Sequence, residues 1–84
     1  MPTIIIYTKD FCPYCDRAKE LLERKGLEYT EIDLDKNPDK IKEMITLAKR
    51  RSVPQIFINN KHIGGCDDLY DLEAQGKLDS YLNT

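Results

Sequence analysis

Three cysteines, at positions 12, 15 and 66, are the residues of this 84-residue chain whose chemistry stands out. Cys12 and Cys15 form a Cys-x-x-Cys pair, which in a reducing compartment reads as redox-active or metal-binding rather than as a structural bridge. At i and i+3 on the first turn of a helix the two sulfurs lie within disulfide reach, for which Cα atoms stand about 4.4–6.8 Å apart. Cys12 falls where a strand gives way to a helix. Unpaired backbone N–H groups and the helix dipole favour a sulfur anion there, and the thiolate is the attacking form. Lys9, three residues upstream, adds positive charge if the loop folds back. Cys15, one turn deeper, is expected to be less exposed and suited to resolving a mixed disulfide. Pro13 removes one donor and stiffens the turn.

Two other readings of the pair stand beside this one. Free cysteines are often small buried hydrophobes, and both could be that. Alternatively, Cys12-x2-Cys15 joined to His62-x3-Cys66 supplies four ligands of types that zinc accepts. That second pair spans the Gly64-Gly65 break, and His62 lies on a short strand where it is expected to face solvent. The redox reading is therefore preferred, and no metal is expected.

Composition narrows the partners. Thirteen basic and 15 acidic side chains leave a net charge of −2, which argues against nucleic acid or an anionic membrane surface. The longest aliphatic run, Ile4-Ile5-Ile6, is too short for a signal peptide or a membrane span, so a cytoplasmic protein is expected. An odd cysteine count does not suit a secreted disulfide framework.

The elements that must hold the cysteines follow from hydrophobic spacing. Thr3 to Tyr7 is a β-branched and aromatic run without alternation, as in a central strand covered on both faces. From Pro13, at the first helical position, to Lys25, a helix sets Tyr14, Ala18, Leu21 and Leu22 on one stripe and stops at Gly26. Tyr29 to Leu34 alternates as a half-exposed strand. Asn37-Pro38 reads as an N-cap and first helical residue, followed by Ile41, Met44, Ile45 and Ala48. That helix ends among Lys49, Arg50 and Arg51. Gln55 to Ile58 and Lys61 to Ile63 flank Asn59-Asn60, a pair tolerant of positive φ, and form a hairpin. After Gly64-Gly65, Asp67 and Asp68 open a last helix that stops at Gly76, and a short amphipathic turn with Leu78, Tyr81 and Leu82 follows. The order β-α-β-α-β-β-α predicts an α/β fold: one domain over residues 1–84, with a single mixed four-stranded sheet and helices on both faces.

Taken together, Tyr7-Thr8-Lys9, Cys12-Pro13-Tyr14-Cys15, Ser52-Val53-Pro54, Gly64-Gly65 and Cys66-Asp67-Asp68 resemble a dithiol glutaredoxin over essentially the whole chain. The resemblance implies a thioredoxin fold and a glutathione-dependent thiol–disulfide oxidoreductase, with Cys12 and Cys15 catalytic. It also implies a cis Val53-Pro54 bond. A glutathione groove carries over onto Lys9, Tyr14, Val53, Pro54, Gly65, Cys66 and Asp67. Lys9 would attract the glycine carboxylate, Tyr14 would wall the groove, and Val53 would present its backbone to the cysteinyl moiety. Cys66 and Asp67 would meet the γ-glutamyl end, where helix N–H groups suit its carboxylate and the Asp67 side chain its ammonium. Ordinary N-terminal capping by Asp67 and Asp68 explains those residues too.

Ser52 stands where the family usually has Thr, which keeps the hydroxyl. Arg50 and Arg51 read more readily as a solvated helix end than as carboxylate binders. The implied reductant is glutathione, and the implied substrates are glutathionylated or disulfide-containing proteins, handled by a monomer. A glutaredoxin-like protein reduced by thioredoxin reductase is the nearest alternative. An iron–sulfur carrier is a further one, although such relatives usually have a single active-site cysteine and no Pro13 equivalent.

Overall fold

A computed structural model describes residues 2–83. Strand β1 (Ile4–Thr8) leads into helix α1 (Pro13–Arg24), then β2 (Thr30–Asp33). A 3-10 turn (Pro38–Lys40) runs into α2 (Ile41–Ala48), and β3 (Gln55–Ile58) and β4 (Lys61–Gly64) follow. Helices α3 (Cys66–Ala74) and α4 (Leu78–Leu82) close the chain. The sheet order is β2-β1-β3-β4, with β1 parallel to β2 and antiparallel to β3.

The unalternating β1 sequence has the consequence expected of it. Ile4 and Ile6 pack with Ala18, Leu21, Leu22 and Leu69 on one face. Ile5 and Tyr7 belong to the other face, with Leu34, Met44, Ala48 and Phe57. Helices α1, α3 and α4 thus cover one side of the sheet and α2 the other, so the mixed sheet with helices on both faces is observed. Among the described residues, no helix is long and apolar enough to cross a membrane.

Four local expectations need correction. Asn37 does not cap α2: its side-chain amide donates to the Asp33 carbonyl at 3.0 Å, closing the turn after β2. Tyr14 does not join the core stripe of α1; it is 54% exposed, and Cys15 takes the inward place. Helix α3 begins at Cys66, one residue before the expected Asp67, with Gly65 at the N-cap. Finally, His62 is half-buried rather than turned to solvent. Phe57 pairs with His62 while Ile56 pairs with Gly64, so Ile63 is an extra residue that bulges β4. That register stacks the His62 ring on Phe57, with centroids 5.0 Å apart.

The hairpin turn is as anticipated, with Asn59 at φ 51° and Asn60 at φ 67°. Gly64 is required by geometry. Its φ of 122° is accessible to glycine alone, and a Cβ there would collide with the Asp68 carboxylate.

Candidate active site

Cys12 occupies the N-cap of α1, with extended backbone angles (φ −114°, ψ 101°) and Pro13 immediately after it. A helix start leaves N–H groups without partners, and a capping side chain accepts from them. Here the acceptor is sulfur: the Cys15 backbone N–H donates to Cys12 Sγ at 3.3 Å. Cys12 Sγ also lies 3.9 Å from the Val53 carbonyl, which ties α1 to the loop before β3. Phe11, in the left-handed region at φ 56°, is fully exposed beside it.

The partner thiol has a different setting. Cys15 is 1% exposed, and burial first, then its hydrogen bond with Cys12, pushes its thiol up to about 12. The Lys9 backbone N–H and the Lys19 charge pull the other way without prevailing. Cys66 is buried as well, and burial followed by the negative charge of Asp67 raises its thiol. Cys12 is the one cysteine of the three that is not buried.

A cleft of about 210 Å³ runs past Val53, the residue whose carbonyl Cys12 Sγ approaches. Tyr14 from α1, Val53 and Pro54 from the loop before β3, and Gly65, Cys66 and Asp67 at the start of α3 wall it. Six of the seven groove positions named from sequence thus converge, although more than 50 residues separate Tyr14 from Asp67. The Val53-Pro54 bond is cis. Gly65 sits so close to this loop that a Cβ would stand 3.4 Å from the Pro54 carbonyl.

Lys9 is exposed and is not among the residues walling the cleft. Arg50 is, contrary to its reading as a solvated helix end. Lys49 ends α2 in the left-handed conformation (φ 58°), and the reversed chain carries Arg50 to Asp68, with Nη1 3.0 Å from Oδ2. Asp68 also accepts the Gly65 N–H at 2.9 Å, the half of a capping box that an N-cap glycine permits. These bonds hold the Asp68 carboxyl below its ordinary value, the Gly65 N–H most and Arg50 next.

Asp68→Ala is accordingly expected to cost about 1 kcal/mol through the lost cap, since solvent screens the pair with Arg50. A carboxyl whose folded value is depressed stabilises above its unfolded value, about 4, and this contribution disappears as pH falls through the folded value. Urea melts of both proteins should differ at pH 7, and the gap should shrink as pH falls below about 4; a gap independent of pH would refute the assignment.

Gln55 and His62 have a positioning role that the sequence did not signal. Gln55 is wholly buried, and its amide donates to the Ser52 carbonyl at 3.0 Å. Its Oε1 lies 2.7 Å from His62 Nε2. This chain of bonds anchors the Ser52–Pro54 segment from behind. Burial, and then the charge of Arg50, lowers the His62 pKa. The four-ligand zinc set is not assembled: among the described residues, the one group of three or more ligand atoms close enough to share an ion is Asp10, Asp33 and Asp35.

A family model described as glutaredoxin matches residues 4–63. The chain belongs to the glutaredoxin family. This glutaredoxin is 55% identical over 82 residues to glutaredoxin 3 of Escherichia coli K12, across 98% of this chain and 99% of that relative. It is similar to the solution structure of glutaredoxin from Brucella melitensis, with TM-score 0.82 and 56% identity over 95% of this chain and 87% of the other. A crystal structure of a buckwheat glutaredoxin–glutathione complex matches with TM-score 0.86 at 36% identity, covering 95% and 76% of the two chains. The thioredoxin fold is thereby shown, and with it the reaction class: a glutathione-dependent thiol–disulfide oxidoreductase.

Proposed function

We propose that this glutaredoxin reduces glutathione mixed disulfides through Cys12 and protein disulfides through Cys12 and Cys15 together. The observation that carries the reading is the cleft walled by Tyr14, Val53, Pro54, Gly65, Cys66 and Asp67, with Cys12 Sγ 3.9 Å from the carbonyl of Val53 on that wall. The Cys12 thiolate attacks the substrate disulfide, the substrate thiol leaves, and Cys12 holds the remaining half as a mixed disulfide. A second glutathione attacks that intermediate and leaves as glutathione disulfide. For a protein disulfide, Cys15 attacks Cys12 instead, and two glutathiones then reduce the Cys12–Cys15 bond.

Glutathione lies along the cleft in this reading. The Val53 backbone pairs with the cysteinyl moiety, and Tyr14 and Pro54 pack against it. Gly65 admits it closely, while Cys66 and Asp67 at the head of α3 receive the γ-glutamyl end. Arg50 joins Lys9 as a candidate partner for the glycine carboxylate, because Arg50 is the cation on the cleft wall. The protein works as a cytoplasmic monomer on glutathionylated and disulfide-bonded proteins, and thiols and glutathione alone complete the exchange.

Turnover of a glutathione mixed disulfide coupled to glutathione and glutathione reductase tests this directly. It should exceed turnover with thioredoxin reductase by at least about tenfold, a 1.4 kcal/mol preference in the rate-limiting step. Equal or greater turnover with thioredoxin reductase would reject glutathione as the reductant.

A further inference from the structure

One turn along α1 from Cys15, three polar side chains form a network that the exchange as written does not use. Glu31 Oε2 on β2 accepts the Thr8 hydroxyl at 2.7 Å and the Lys19 ammonium at 3.0 Å. Thr8, at the end of β1, is 1% exposed. Lys19 follows Cys15 by four residues on α1, which sets the two side chains one turn apart on the same helix face. Its side chain is 24% exposed, and Asp16, with Oδ1 3.8 Å from Nζ, is its second carboxylate. Burial works against the Glu31 charge, yet the bonds from Thr8 and Lys19 keep its carboxyl below the ordinary value.

The resolving step has an electrostatic problem at this position. Cys15 must lose its proton to solvent before its sulfur can attack. The Cys12–substrate S–S bond then breaks as the Cys12–Cys15 bond forms, and the departing thiolate takes up a proton. Over the two exchange steps the dithiol is oxidised by two electrons and the substrate disulfide, both of its sulfurs, is reduced by the same two. A thiol buried this deeply resists ionisation. The groups that act on it are Cys12, which disfavours its charge, the Lys9 backbone N–H, and Lys19.

We propose that Lys19, held by Glu31 and Thr8, is a positioning residue whose ammonium stabilises the Cys15 thiolate during resolution. This rests on Cys15 being the resolving thiol. The other explanation of the same contacts is a clamp between α1 and β2 that contributes stability alone. The two differ in what a change at each end of the pair does. Lys19→Gln removes the charge one helical turn from Cys15, whereas Glu31→Gln keeps that charge together with an acceptor for Lys19 and Thr8.

The test follows closure of the Cys12–Cys15 bond at pH 7, read as the second glutathione released after reduced protein meets excess glutathione disulfide. Lys19→Gln should slow closure about tenfold, the effect of removing one nearby opposite charge. Lys19→Arg should restore it to within about threefold, and Glu31→Gln should close at least as fast as the unaltered protein. Equal slowing in Lys19→Gln and Glu31→Gln, or none in Lys19→Gln, would overturn the proposal. Thermal melts of each variant establish that it is folded, and Lys19→Met serves in place of Lys19→Gln if the latter is not. Cys15→Ser separates the two levels: if it releases the second glutathione as fast as the unaltered protein, the resolving role itself fails and not merely that of Lys19.

Discussion

Cys12→Ser is expected to abolish turnover with both mixed-disulfide and protein-disulfide substrates, a loss of at least about 10³-fold. A serine hydroxyl at neutral pH does not attack a disulfide, and neither remaining thiol stands in. Cys15 is 1% exposed, with a thiol pushed up to about 12, and Cys66 is 6% exposed with a raised thiol of its own. The substitution itself is structurally mild, because the serine oxygen can accept the Cys15 N–H that Cys12 Sγ accepts now. A glutathione-coupled assay on the variant decides the matter. Turnover within about tenfold of the unaltered protein would place the nucleophile elsewhere.

Cys15→Ser should divide the two reactions. Reduction of a protein disulfide should fall by about 10²-fold or more, since the mixed disulfide at Cys12 then has no internal attacker. Deglutathionylation should stay within about threefold, because its second step uses an external glutathione. The backbone explains why the nucleophile survives this change. The Cys15 N–H that reaches Cys12 Sγ is independent of the side chain, and a serine oxygen at 15 can take the Lys9 N–H that now faces the sulfur.

The raised Cys15 thiol also fixes a pH signature for the unaltered protein. The attacking form is the anion, whose fraction grows about tenfold per pH unit below the thiol's own value. Where resolution limits the rate, protein-disulfide reduction should therefore rise between pH 6 and 8. Parallel losses of both activities in Cys15→Ser would contradict the division of labour between the cysteines.

Much of this molecule was legible without coordinates, for reasons that are local. Ile4–Ile6 with Tyr7 could be read as a central strand because a strand covered on both faces has no polar side to display. Asn59-Asn60 could be read as a hairpin turn because few residue pairs accept positive φ twice in succession. Cys12 and Cys15 could be assigned because i and i+3 at a helix start put a sulfur at the cap, whatever the rest of the chain does. His62 was misjudged because its environment depends on a bulge at Ile63 and on Gln55, and neither is a local property.

The placing of two cysteines at a helix start and the order of the elements were thus determined by residue types and short spacings, which act within a turn or two of chain. Which cation lies on the cleft wall was decided only by the tertiary structure. Lys9 stands closer to Cys12 in sequence, but a left-handed residue at 49 sends Arg50 across to Asp68. The setting of the second thiol was settled there as well. Burial on the inward face of α1 holds the Cys15 proton, and Glu31, from a neighbouring strand, secures the ammonium one turn away. Long-range contacts like these depend on how helices dock on the sheet, and no window of sequence contains that information. The three cysteines were visible at once; the difference between them is a matter of packing.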